Sequence, residues 1–268
     1  MIKILSYKTL LLTTVVVAVS GLAVYAQFGT STSSGEKKSV QKSEVLIKNK
    51  DLQEVWVNKE MEKMSLREKV GQFFMVAAYS NKGEKHFQKI DSLISKESIG
   101  GLIFFQGQRS NLVPAIGRFQ AKSKVPLLIG MDAEWGTSMR LFGEERYPYN
   151  YTIGAANDPK LTERLSEMMG QECRELNIHL NFAPVADVNN NPNNPVIGFR
   201  SYGEYPKDVA AHVAAAVKGM ERQGVLTSIK HFPGHGDTDV DSHKELPVVN
   251  NSLKHIEAID FFPFRSGI

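Results

Sequence analysis

The sequence predicts an α/β fold with a parallel sheet, a (β/α)8 barrel that supplies about five of its eight strands before the chain reaches Ile268. Three observations point there. Five apolar runs of strand length recur, at residues 73–78, 99–105, 125–131, 178–185 and 226–231. Segments with helical spacing lie between them, at 86–96, 161–176 and 209–223. Polar residues gather where the runs end: Asp132 and Glu134 after the third, Asp187 and an Asn-rich loop (189–194) after the fourth, Lys230 and His231 at the end of the fifth. Continuously apolar strands alternating with amphipathic helices form a parallel sheet covered by helices. Right-handed crossovers leave an open doubly wound sheet or a barrel. No Gly-rich phosphate fingerprint follows the first run, which counts against a dinucleotide fold. Functional groups at the C-terminal strand ends favour the barrel.

In chain order, Lys3 and Lys8 flank the start of an apolar stretch (10–25) that closes on Val24-Tyr25-Ala26. Residues 1–26 therefore read as a signal peptide or an N-terminal membrane anchor, and the protein as exported: periplasmic, extracellular or held at a membrane by residues 8–26. Residues 27–51, rich in Ser, Thr, Gly, Lys and Gln, read as a flexible linker, and 52–268 as the folded domain. Ser65 and Glu68 form a capping box that opens a helix ahead of the first strand. In the last helical segment Val209, Val213, Ala216, Val217 and Met220 share one face, and Gly224 stops it.

Of the 268 residues, 42% are hydrophobic and 23% charged, a composition that supports a sizeable core. With 32 basic and 29 acidic residues and no basic cluster, nucleic acid is not an expected partner. The single cysteine, Cys173, excludes an intramolecular disulfide and a thiolate zinc site, and its helical setting reads as apolar filler.

The densest chemistry lies in residues 230–243, which hold Lys230, His231, His235, Asp237, Asp239, Asp241 and His243 among Pro233, Gly234 and Gly236. Asp237, Asp239 and Asp241 alternate as in a calcium loop, but Ser242 and Val248 stand where that loop needs Gly and Glu. His231 and His235 have a zinc-helix spacing that Pro233 and Gly234 forbid. No metal and no organic cofactor is expected. Asp241 two residues before His243 suits a carboxylate that fixes an imidazole tautomer for proton transfer. On spacing alone, His243 reads equally well as a loop histidine with an acidic neighbour.

The run Lys230-His231-Phe232-Pro233-Gly234-His235-Gly236, followed by Asp241-Ser242-His243 and Leu246-Pro247, resembles the signature of family 3 glycoside hydrolases, in particular their β-N-acetylglucosaminidase branch. The resemblance extends over residues 64–264 through Gly100–Phe105, Asp132-Ala133-Glu134, Asn181–Asp187 and Arg200-Ser201-Tyr202-Gly203. It implies a barrel that removes terminal β-linked N-acetylglucosamine (GlcNAc) with retention, from a glycan or a peptidoglycan fragment. Carried over, His243 is the acid/base, Asp241 orients it, and Asp132, Arg140, Arg200, Lys230 and His231 bind the sugar.

The sequence departs from the family twice. Asp132-Ala133-Glu134-Trp135-Gly136 replaces the commoner Asp-Gln-Glu-Gly-Gly and is similar to a variant of large exported members. The family's nucleophilic Asp lies on a later strand, and Asp260, in the helical stretch 254–260, does not match it. The expectation is an N-terminal portion that is inactive alone. Two further readings stay open, a glycoside phosphorylase with the same dyad and a non-catalytic sugar-binding module.

Overall fold

The computed structural model describes residues 52–241, 244 and 246–266. The expected leader and linker lie outside them, and so does His243. Among the described residues no helix is long and apolar enough to cross a membrane. Five strands form one parallel sheet in chain order, β1 (Met75–Ala78), β2 (Gly101–Phe104), β3 (Leu128–Met131), β4 (Leu180–Asn181) and β5 (Leu226–Thr227). Each falls inside a predicted apolar run, and the sheet is not closed. The helices are α1 (52–63), α2 (Leu66–Gly71), α3 (Gly83–Glu97), α4 (Arg109–Lys122), α5 (Asn150–Ala155), α6 (Pro159–Glu175), α7 (Pro206–Arg222), α8 (Leu253–Ala258) and α9 (Phe261–Ser266).

The chain divides into two compact units. The first comprises the residues up to 77, Lys82–Leu102 and Gly117–Leu128. Its α2 begins at the predicted capping box: the Ser65 hydroxyl accepts from the Glu68 amide, and the Glu68 carboxylate accepts from the Ser65 amide. Lys124 and Ser65 hold the Glu68 carboxyl down at about 2. α3 buries Ile90 and Ile94, while Arg118 binds Glu84 and Asp91, each at 2.6 Å.

The second unit comprises Ala78–Asn81, Ile103–Ile116 and everything from Ile129 onward. β4 pairs with β3 through Gly130 opposite Leu180, and with β5 through Leu180 opposite Leu226. α6 and α7 pack closely because Gly219 has no side chain; a Cβ there would lie 2.3 Å from the Glu163 carbonyl. α7 turns its predicted face inward, and Val209, Val213 and Ala216 join Ile153, Ala186, Val188, Tyr202 and Phe264 in one apolar cluster. After α7, Gly224 adopts a left-handed φ of 68°, as its stop role requires.

The fourth and fifth runs yield only two strand residues each, although their pairing continues beyond them. Lys230 donates to the Pro184 carbonyl at 3.0 Å and Ala186 to the Lys230 carbonyl at 2.6 Å. The peptide bonds before Pro184, His231 and Pro233 are cis.

His179 sits beside β3, where its Nδ1 accepts from the Ile129 amide at 3.1 Å. Burial, helped by Arg174, pushes its pKa down to about 4. The ring must be neutral to accept that bond. Its contribution is therefore fully present above the unfolded value of about 6.5 and is lost as pH falls toward 4. His179→Gln removes this titration but keeps an acceptor. The stability gap between parent and variant is expected to widen from pH 4 to 6.5, by up to ~3 kcal/mol, and then stay constant. Urea unfolding across that range checks this, and a pH-independent gap would refute it.

Candidate functional site

β3 delivers Asp132 and Glu134 at its C-terminal end. The Asn181 side chain fixes the residue between them: its Oδ1 accepts from the Ala133 amide at 2.9 Å and its Nδ2 donates to the Ala133 carbonyl at 3.1 Å. The chain then makes a 3-10 turn, Thr137–Met139. Glu172 of α6 holds this turn by accepting from the Thr137 hydroxyl and, through its other oxygen, from the Tyr147 hydroxyl, both at 2.9 Å. Gly136 is required at the bend, with φ 89° and the Tyr147 ring where a Cβ would stand. The turn places Arg140, whose guanidinium lies 5.0 Å over the Phe105 ring.

These pieces join in a chain of alternating charges. Asp132 accepts from Arg140 Nη2 at 2.9 Å and from Lys230 Nζ at 2.8 Å. Lys230 Nζ also contacts Glu134 Oε1 at 2.8 Å. Arg200 grips Glu134 with two bonds, Nε to Oε2 at 2.9 Å and Nη2 to Oε1 at 2.7 Å, the bidentate geometry in which a guanidinium is strongest. Arg200 Nη2 is also 3.1 Å from His231 Nε2, and His231 Nδ1 is 2.6 Å from Asp187 Oδ2. A guanidinium only donates and a carboxylate only accepts, so Nδ1 carries the hydrogen and Nε2 accepts. Both nitrogens of His231 are thereby committed to holding its ring. Burial pushes the Glu134 carboxyl up, but Arg200 and Lys230 outweigh it and the net shift is downward.

Exposure separates holders from groups that can reach a ligand. The side chains of Glu134 and Asp187 are 1% and 0% exposed. Those of Asp132, Lys230, Arg140 and His231 keep 15%, 17%, 23% and 32%. Arg140 Nε is buried without a hydrogen-bond partner among the described residues. These partly exposed side chains leave acceptor and donor edges open at the strand ends.

The five sequence-predicted binding residues, Asp132, Arg140, Arg200, Lys230 and His231, are thus brought together. Lys230 and His231 sit three and four residues past β5, because the strand ends early. Glu134 and Asp187 complete the set and were missing from the predicted one. Their acidic character at strand ends was visible, but their partners lie 66 and 44 residues away.

The loop after His231 is anchored along its first half. Its His235 amide donates to Asp187 Oδ1 at 2.7 Å. Asn194 Nδ2 donates to the carbonyls of His235 and Gly236, at 2.7 and 3.0 Å, and Asn191 Nδ2 reaches Asp239 at 2.7 Å. Asp237 and Asp239 are likewise held by side-chain contacts, Asp237 accepting from Asn251. Asp241 is half-buried and its carbonyl accepts from the Lys244 amide at 2.9 Å. Its relation to His243 lies outside the described residues. Asp260 lies in the turn between α8 and α9 rather than in a helix, packed where a Gly234 side chain would stand. Burial, then Asp237 and Asp187, push its carboxyl up to about 6, against the pull of His255.

Residues 65–268 match the glycosyl hydrolase family 3 N-terminal domain. A beta-hexosaminidase A of Pseudoalteromonas piscicida is 40% identical over 194 residues, 67% of this chain and 32% of that protein. A beta-hexosaminidase of Stenotrophomonas maltophilia is 34% identical over 65% of this chain and 55% of its own. The chain thus spans about a third to a half of the curated relatives it matches. Among solved structures, a family 3 β-N-acetylglucosaminidase from Paenibacillus superposes with a TM-score of 0.71 at 37% identity, covering 76% of this chain and 40% of that one. The beta-glucoside phosphorylase BglX gives 0.74 at 26% identity, covering 79% of this chain and 38% of that one.

Proposed function

Because the chain belongs to glycosyl hydrolase family 3, through its N-terminal domain, we propose that it serves the hydrolysis of terminal β-linked GlcNAc with retention. The observation that carries this reading is the compensated charge chain, whose free polar edges belong to Asp132, Arg140 and Lys230, with the His231 ring partly exposed beside them. Asp132 accepts from sugar hydroxyls, and Arg140 and Lys230 donate to them. Arg200 and Glu134 hold Lys230 in place, and Asp187 holds His231.

His243 gives a proton to the departing oxygen and then takes one from the attacking water, with Asp241 setting its tautomer. Retention also needs a carboxylate nucleophile about 5 Å from the acid/base. None of the site's carboxylates suits that role. Asp132 and Glu134 are each tied to two cations, Asp187 is tied to His231, and Asp260 packs against Gly234. The natural ligand we propose is a peptidoglycan-derived or other GlcNAc glycan. Lys3, Lys8 and the apolar residues 10–25 support an exported protein, cleaved or anchored at that leader.

In the whole protein, His243→Ala is expected to lower kcat on an aryl N-acetyl-β-glucosaminide by ~10²–10⁴-fold and to flatten the pH profile. Activity within threefold of the parent would remove His243 from the mechanism. Likeness to BglX favours phosphorolysis as a second reading. Sugar 1-phosphate as the main product when phosphate is added would establish it.

A further inference from the structure

Three aromatic rings from three segments of the second unit meet at one place. Trp135 packs edge-on against Tyr149, with centroids 5.0 Å apart, and against Phe199 at 6.0 Å. Tyr149 and Phe199 are 4.4 Å apart and tilted by 46°. Trp135 directly follows Glu134 and Phe199 directly precedes Arg200, so the cluster adjoins both halves of the bidentate ion pair. Its frame is fixed: the fully buried Asn150, next to Tyr149, donates to the Arg200 carbonyl at 2.8 Å.

A cluster that merely braced the ion pair would bury its rings. Instead Phe199 is 52% exposed and Tyr149 is 37% exposed. Aromatic faces left open beside hydrogen-bonding groups suit a pyranose, which offers C–H groups on its faces and hydroxyls on its rim.

We propose that Phe199, supported by Trp135 and Tyr149, is a stacking subsite for the second sugar of a β-linked GlcNAc oligosaccharide whose terminal residue lies at Asp132. The subsite rests on the reading of the Asp132 group as a GlcNAc site. It makes the protein selective for sugar chains over the monosaccharide.

The chain has only two tryptophans, Trp56 and Trp135, so Trp56→Phe leaves Trp135 as the sole indole reporter. Titration of that chain with GlcNAc and with triacetylchitotriose, by calorimetry and by indole emission, tests the proposal. The trisaccharide is expected to bind about five- to tenfold more tightly than GlcNAc and to change the emission of Trp135. Phe199→Leu, which keeps apolar bulk but removes the ring, is expected to abolish that advantage while leaving GlcNAc affinity unchanged, and Phe199→Tyr to restore it. Equal affinity for the two sugars, or an advantage that survives Phe199→Leu, overturns the subsite alone. Failure of both sugars to bind overturns the Asp132 reading and the subsite with it.

Discussion

Asp132→Asn is expected to weaken GlcNAc binding by ~100-fold, because a charged hydrogen-bond partner in a partly buried site is worth ~1.5–3 kcal/mol and its loss unbalances its neighbours. The Asp132 carboxylate does two things at once. Its oxygens receive Arg140 and Lys230, at 2.9 and 2.8 Å, and it remains exposed enough to meet a hydroxyl. The amide keeps the shape and one acceptor, but it points two hydrogens at one of those cations and leaves three cations facing two carboxylates. Lys230 still has Glu134 at 2.8 Å, whereas Arg140, already lacking a partner for Nε, loses its one carboxylate contact. The larger disturbance should therefore fall on Arg140. Calorimetric titration checks the affinity, with thermal unfolding as a control for folding. An affinity within threefold of the parent would remove Asp132 from the binding site.

Asp187→Ala is expected to destabilise the fold by ~3–5 kcal/mol, since removing one partner of a buried charged network costs the full desolvation of the groups left behind. The Asp187 side chain is fully buried and accepts from His231 Nδ1 at 2.6 Å, from the His231 amide at 3.2 Å and from the His235 amide at 2.7 Å. Alanine leaves all three donors without this acceptor. It also frees the His231 ring to carry its hydrogen on Nε2, which Arg200 cannot accept. The loop from residue 231 to 239 loses the side chain that binds both the His231 and the His235 amides. Denaturant unfolding measures the loss. A midpoint shift equivalent to less than ~1 kcal/mol would show that Asp187 is not the pin described here.

Much of this arrangement was legible in the sequence, and the parts that were not have physical causes. The five strands and α3, α6 and α7 follow from apolar runs and 3.6-residue spacing, and the capping box at Ser65 from its two residues alone. The strands are shorter than their runs because apolar character reports burial, whereas a strand also needs regular backbone geometry. α4 was not anticipated: Pro114 lies inside it and argues against a helix interior, although Leu112, Ala115, Ile116 and Phe119 share one buried face. Asp260 stood in a segment that reads as helix but lies past the end of α8, in a turn whose conformation is set by packing against Gly234. The five residues singled out by motif context come together as one group, yet Glu134 and Asp187 take their meaning from Arg200, Lys230 and His231. That meaning depends on contacts between separate strand ends, which no local pattern encodes.

The charge chain from Arg140 to Asp187 has a consequence for how the protein meets its ligand from afar. Three cations, Arg140, Lys230 and Arg200, stand against three anions, Asp132, Glu134 and Asp187, so the group sums to zero. Opposite charges within 3 Å of each other cancel at distance, and at physiological salt little field survives past a Debye length of ~8 Å. On the proposed reading, these six charges by themselves neither steer an anionic glycan inward nor turn it away. Encounter is left to ordinary diffusion, and selection begins only once hydroxyls are within touching range.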